Sequence, residues 1–133
     1  DTDDRRILID TGLGDKQDAK FFGHYYPHGE DSIEKNLNKN GYGINDITDV
    51  FLTHLHFDHC GGAVKRDGEQ LLPAFPNAVY WSNPTHWQSA LNPNERERAS
   101  FLKENFMPLE QAGKLCFIEE GNWIENFSVK IDN

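Results

Sequence analysis

Six consecutive residues, His54 to His59, hold three histidines and one aspartate. Residues two apart on an extended chain point the same way, so His54 and His56 can present both imidazoles to one metal. Asp58 and His59 can face a second position once the chain turns. Imidazole and carboxylate ligands suit zinc, and also iron or manganese. The spacing therefore predicts a metal centre, with zinc as its cofactor and two ions in it.

The chemistry that such a pair of metals supports is hydrolysis. Two metals held roughly 3.5–4 Å apart can bridge a hydroxide and polarise a substrate oxygen together. A metal-bound water ionises near about pH 7, which supplies a nucleophile without any serine or cysteine. Gly61 and Gly62 follow the cluster directly. Because glycine has no side chain, this pair predicts close backbone packing behind the site.

Strands are the elements that must position this cluster. Apolar runs without clean alternation predict strands at Ile7–Asp10, Asp49–Thr53 and Asn77–Ser82, and the second of them runs straight into the histidines. Two more strands are predicted near the end of the chain, in KLCFIEE and NFSVKID. Buried strands of this kind are typical of a sheet that is covered on both faces.

Helices are predicted between these strands. A capping box and a terminal glycine favour a helix between Asp31 and Gly41, and Asn83 caps the start of another. A further helix is predicted over 94–105, whereas the aromatic segment Phe21–Asp31 is predicted to be a loop. The order of strands and helices predicts an α/β fold, with a mixed sheet and flanking helices.

Composition narrows the class of partner. The chain has 133 residues and a formal net charge of −9, from 22 acidic and 13 basic residues. This balance argues against a surface that binds nucleic-acid phosphates. No apolar run approaches the roughly 20 residues that cross a bilayer, so no membrane partner is predicted either. The first residue is not Met, so the chain is expected to begin inside a longer protein, with the cytoplasm as its default location.

The stretch THLHFDHCGG resembles the H-x-H-x-D-H signature of the metallo-β-lactamase superfamily, and ILIDTGLGDK is similar to the strand and turn that precede that signature. The lactonase-like branch is the most similar. The resemblance implies a first metal on His54 and His56. It implies a second metal on Asp58 and His59, with Asp58 as a catalytic residue. It also implies that Asp10 orients a ligand histidine or the local backbone.

The family fold is an αββα sandwich of two similar halves, and its further metal ligands lie downstream of the signature. After His86 this sequence has no histidine. Residues 1–133 are therefore predicted to form a single partial domain, the N-terminal half of the sandwich, with the C-terminal half absent. Four ligands leave each of two metals about two short of a tetrahedral site. The isolated half is expected to bind metal weakly.

For the parent protein the resemblance implies a metal-dependent hydrolase of small molecules, in which metal-bound hydroxide attacks an ester, lactone or amide carbonyl. The alternatives are an iron-dependent redox member or a nuclease of the same superfamily, or a non-catalytic fragment in the chain as written. Half a sandwich is expected to expose an apolar sheet face and an unpaired edge. Either feature favours self-association or contact with the missing half.

The remaining candidates lie outside the histidine cluster. Tyr25, Tyr26 and His28 are predicted to form part of a substrate wall, with plain loop packing as the alternative. His86 is interpreted as structural. Two tryptophans are assigned to the core, Trp81 and Trp123.

Overall fold

A computed structural model describes residues 5–118 of the chain. Its strands are β1 (Ile7–Ile9), β2 (Asp49–Phe51), β3 (Val64–Asp67), β4 (Gln70–Pro73), β5 (Val79–Ser82) and β6 (Leu115–Phe117). Its α-helices are α1 (Ala19–Tyr25), α2 (Ile33–Lys39), α3 (Phe57–Cys60), α4 (Pro84–Leu91) and α5 (Met107–Gln111). Four strands form a parallel sheet in the order β1-β2-β5-β6, and β3 and β4 form a separate antiparallel pair. The predicted α/β class, with flanking helices, is confirmed.

The two faces of the parallel sheet have different surroundings. Leu8, Val50 and Tyr80 lie in register on one face, and they pack into the main hydrophobic core. Ile9 and Phe51 lie in register on the other face, where Ile9 is 54 % exposed. Part of an apolar sheet face is thus open to solvent in residues 5–118. Self-association through it stays a prediction.

Two of the predicted helices are present, with small changes. The N-cap of α2 is Ser32 rather than Asp31, since the Ser32 hydroxyl accepts from Lys35 N–H. Asp31, which precedes the helix, instead forms an ion pair with Lys39, the last residue of α2. Asn83 caps α4 as predicted, because its side chain accepts from the backbone N–H of His86.

The prediction of a loop at Phe21–Asp31 is wrong over its first part, which lies in α1. The Asp18 side chain caps this helix by accepting from Phe21 N–H at 2.8 Å. Helical spacing then places Phe21 and Tyr25 on one side, where their rings pack 4.8 Å apart. Local capping and aromatic packing together account for the extra helix.

The predicted helix over 94–105 is also wrong. The chain there forms turns, followed by a 3-10 helix at Lys103–Asn105. The Asn94 side chain does accept from the N–H groups of Arg96 and Glu97, as a cap would. However, the Ser100 carbonyl accepts from a distant residue, Phe57, so tertiary contact replaces the helical hydrogen bond.

Some elements were not anticipated, and some predictions fall outside the described residues. The sequence reasoning missed the β3–β4 hairpin and α5. Trp81 is only partly buried, and its indole N–H donates to Asp49 at 2.8 Å. Trp123 and the strand predicted in NFSVKID lie outside residues 5–118. None of the helices in that described part combines the length and apolar character that a membrane crossing needs.

Candidate metal centre

The candidate site lies where two parallel strands end side by side. Ile9 pairs with Phe51 in the register of β1 and β2, so the residues that follow each strand meet at the same sheet edge. Asp10 follows β1 in a left-handed conformation, with φ 54°, and its N–H donates to the Phe51 carbonyl. His54 follows β2 after only two residues. This edge is where open α/β sheets place ligands.

The four histidine-cluster candidates come together in space. One potential ligand atom each from His54, His56 and Asp58 lies within 4.8 Å of the others. His59 is adjacent, because its Nε2 is 3.7 Å from Asp58 Oδ2 and its ring lies 3.7 Å from that of His54, centroid to centroid. Imidazoles and a carboxylate this close can share one or two metal ions.

Asp10 lies behind the cluster and contacts His59 directly. Its Oδ2 is 2.7 Å from His59 Nδ1. A carboxylate can only accept, so the imidazole donates from Nδ1, and Nε2 keeps a lone pair for a metal. The Asp10 carboxylate thereby selects the metal-binding tautomer of His59.

Thr53 extends the same arrangement to His54, and the sequence reasoning did not single it out. Its hydroxyl donates its one proton to Asp10 Oδ2 at 2.7 Å. In its contact with His54 Nδ1, 3.1 Å away, the hydroxyl oxygen must therefore be the acceptor, so Nδ1 carries the proton. His54 Nε2 is then also unprotonated. A hydroxyl directly before the first histidine was the available signal.

The surroundings of His56 and the pKa of His54 both favour metal binding. His56 Nε2 is buried, and within residues 5–118 it has no hydrogen-bond partner. A buried polar atom without a partner is costly, and a metal ion would satisfy it. Burial, and after it the neighbouring His59 and His56, lower the pKa of His54, which favours the neutral imidazole that metals bind. The residues present therefore fit a metal such as zinc.

A loop after β1 packs against the backbone that follows the cluster. A Cβ on Gly61 would lie 2.0 Å from the Leu13 carbonyl oxygen, and one on Gly62 would lie 2.3 Å from that of Thr11. The predicted close packing at this glycine pair is confirmed. Lys16, which the sequence reasoning missed, is buried there and donates from Nζ to the Gly61 carbonyl. Burial lowers the pKa of Lys16 to about 8.

Residues from α4 onward contact the cluster from the opposite side. His86 Nε2 accepts from the Leu55 N–H at 2.8 Å, between the first two histidines. The Phe101 ring packs 4.7 Å from that of His56. Burial, followed by His54 and His56, lowers the pKa of His86. The neutral ring that results is the form that can accept a hydrogen bond.

The other candidates differ in their distance from the cluster. The Tyr25 ring packs 4.6 Å from Phe57, which lies between two cluster residues in sequence. Tyr26 is 79 % exposed, and exposed His28 approaches the Tyr26 carbonyl.

Cys60 is buried and donates from its thiol to the Leu55 carbonyl. Burial raises the pKa of Cys60 to about 12.

Comparison with known proteins gives one matching family and several similar proteins. The sequence profile of the metallo-beta-lactamase superfamily matches residues 1–112. An N-acyl homoserine lactonase from Bacillus thuringiensis is 29 % identical over 118 residues, a match that covers 81 % of this chain and 42 % of that protein. The chain therefore spans less than half the length of this relative.

Solved structures show the same fold over the same share of their length. A probable metal-dependent hydrolase from Staphylococcus aureus superposes with a TM-score of 0.78 at 26 % identity, covering 90 % of this chain and 42 % of that one. AidC, a dizinc quorum-quenching lactonase with a bound product, superposes with a TM-score of 0.68 at 25 % identity. That match covers 93 % of this chain and 42 % of the lactonase.

Proposed function

The chain belongs to the metallo-beta-lactamase superfamily, and we propose that the protein carrying it is a metal-dependent hydrolase that opens lactones. One observation carries the proposal: His54, His56 and Asp58 bring potential ligand atoms within 4.8 Å of one another. The substrate class we propose is the N-acyl homoserine lactones, because several relatives are lactonases of that class.

Zinc is the metal we propose, in two sites. His54 and His56 would hold the first ion, and Asp58 and His59 the second. Bound zinc supplies Lewis acidity, which lowers the pKa of water and polarises a carbonyl oxygen. A complete pair of sites needs further ligands, and these would come from residues outside this cluster.

The side chains around the ligands have separate tasks in this proposal. Asp10 keeps the proton of His59 on Nδ1, and Thr53 does the same for His54, so Nε2 is the nitrogen that each ring offers to a metal ion. Asp58 is the proposed catalytic carboxylate. It can take a proton from the attacking water and return it to the leaving alcohol oxygen of the opened ring.

The aromatic residues of α1 are the proposed substrate wall. Phe21 and Tyr25 pack on Phe57, at ring distances of 5.3 and 4.6 Å, beside the metal-binding residues. An apolar wall at this place suits the acyl chain of an N-acyl lactone. Tyr26 and His28, farther along the same segment, are proposed to extend the wall.

Hydrolysis of N-acyl homoserine lactones by the whole protein tests the proposal. A chelator should abolish ring opening, and added zinc should restore it. His54→Ala should lower kcat/KM by about 100-fold or more. Loss of a residue that hydrogen-bonds a metal ligand lowers activity by about 10- to 100-fold, and loss of the ligand itself should cost at least as much. His24→Ala, which changes an exposed histidine of α1, is the matched control and should retain activity. Hydrolysis that survives both chelator and His54→Ala would refute the proposal.

A further inference from the structure

We propose that His86 is a positioning residue of the metal centre, which holds the backbone between His54 and His56 by accepting the Leu55 N–H. The inference rests on the metal site proposed above. It starts from one contact: His86 Nε2 lies 2.8 Å from the Leu55 nitrogen. The two residues are 31 positions apart in the sequence, so this bond ties α4 to the ligand loop.

Leu55 is the residue whose backbone orientation matters most to both ligands. Its side chain is fully buried, which fixes its position in the core. Strand β2 ends at Phe51, so the ladder of that strand offers the Leu55 N–H no partner. A buried N–H needs an acceptor, and the direction of this peptide sets where the flanking side chains point. His86 supplies that acceptor.

His86 is itself held firmly. It lies in the first turn of α4, where its backbone N–H donates to the cap residue Asn83 at 3.1 Å. The next residue, Trp87, is buried and packs 5.2 Å from the Phe106 ring. These contacts fix the helix against the core. An acceptor on a rigid element can define the geometry of a neighbouring loop.

The same contact argues against His86 as a metal ligand. A neutral imidazole has one nitrogen with a free lone pair, and in His86 that nitrogen accepts from Leu55. Phe101 packs against both rings, 5.6 Å from His86 and 4.7 Å from His56. Phe101 is itself buried, so these contacts place His86 beside an apolar surface. His86 therefore acts on the metal through the backbone.

Two substitutions of similar shape separate this role from simple packing. In the whole protein, His86→Gln keeps an oxygen that can accept the Leu55 N–H, whereas His86→Met fills the space without an acceptor. Zinc affinity is measured by competition with a chromogenic chelator. We expect His86→Met to lose about 10-fold or more in affinity, the usual cost of losing a partner behind a ligand. We expect His86→Gln to recover most of that loss.

A stability control and an exchange measurement complete the test. Leu109→Ala removes buried side-chain atoms from α5 and leaves α4 and the acceptor unchanged, so it should lower the melting temperature and leave zinc affinity unchanged. In the metal-free wild type the Leu55 amide should exchange slowly with solvent, and rapid exchange would overturn the inference even if no variant folds. Equal zinc affinity in the Gln and Met variants would overturn this inference alone. A wild-type protein that binds no zinc would overturn the proposed function together with it.

Discussion

Two parts of the chain hold the His-rich loop, which is the segment His54–His59, and they contact it differently. The segment after β1 reaches the loop through Asp10, which bonds the side chain of His59. The segment that begins with α4 reaches it through His86 and Ser100, which accept from the backbone N–H groups of Leu55 and Phe57. The first segment sets the positions of protons on ligands and also packs against the backbone at Gly61, whereas the hydrogen bonds of the second go to the backbone between the ligands. Substitutions on the two sides should therefore have distinguishable effects.

The largest expected effect breaks the contact between the β1 segment and the loop. Gly61→Ala would place a Cβ 2.0 Å from the Leu13 carbonyl oxygen, a backbone atom that cannot turn aside as a side chain can. We expect the free energy of unfolding to fall by about 3 kcal/mol or more. Urea denaturation measures it.

Gly23→Ala is the matched control for this substitution. Gly23 lies inside α1, and a Cβ there would meet nothing within 4 Å. Alanine should raise stability by about 0.5–1 kcal/mol, because glycine is unfavourable inside a helix. Similar stability in the two variants would show that the close approach at Gly61 does not hold the loop.

The next effect is on metal affinity, and it tests the contact between the Asp10 carboxylate and His59. Asp10→Asn keeps the shape of the side chain but removes the charge that holds a proton on His59 Nδ1. Zinc affinity should fall by about 10- to 100-fold in chelator competition. Thr53→Val removes the hydroxyl that accepts from His54 Nδ1 and donates to Asp10, but it leaves the Asp10 carboxylate on His59, so it should cost less. A larger loss in Thr53→Val than in Asp10→Asn would contradict the central place of Asp10.

The last expected effect is a pH dependence that comes from Lys16. Burial lowers its pKa from 10.5 to about 8 in the folded protein. Between these values the unfolded chain binds more protons than the folded one, so this residue makes stability rise with pH across that window. Cys60 and Tyr80, whose pKa values are raised by burial, act in the opposite direction at high pH.

Comparison with Lys16→Met isolates the lysine, because Cys60 and Tyr80 are present in both proteins. The difference in unfolding free energy, wild type minus variant, should increase from pH 8 to pH 10.5. Denaturant unfolding at several pH values measures this difference. A difference that stays flat or falls would show that the Lys16 ammonium is not buried in the folded protein.

The sequence was sufficient to predict the side of the site that is formed by the cluster, Asp10 and the glycine pair. The four cluster residues are neighbours in the chain, so a strand end followed by a turn was enough to predict that they lie close together. Asp10 follows the adjacent strand, and parallel strands bring their carboxyl ends to one edge. The glycine pair likewise predicts that another backbone segment packs closely there, and Gly61 does lie against the Leu13 carbonyl.

The side of the site that is formed by α4 and the residues after it could not be predicted in the same way. Residues 94–105 have strong helix formers and a cap at Asn94, yet the Ser100 carbonyl bonds Phe57, more than 40 positions earlier in the chain. Tertiary packing overrides propensity there. His86 lies 31 positions from Leu55, and nothing local to either residue signals the contact. Long-range hydrogen bonds of this kind leave no spacing pattern to read.

Metal content of the whole purified protein is the most direct test of the account. Elemental analysis should give about two zinc ions per chain in the wild type. The double variant His54→Ala/His56→Ala should lose at least the first of these ions, while the His24→Ala control should keep both. A wild type without metal, or a double variant with the same metal content as the wild type, would contradict the claim that this cluster is a metal centre.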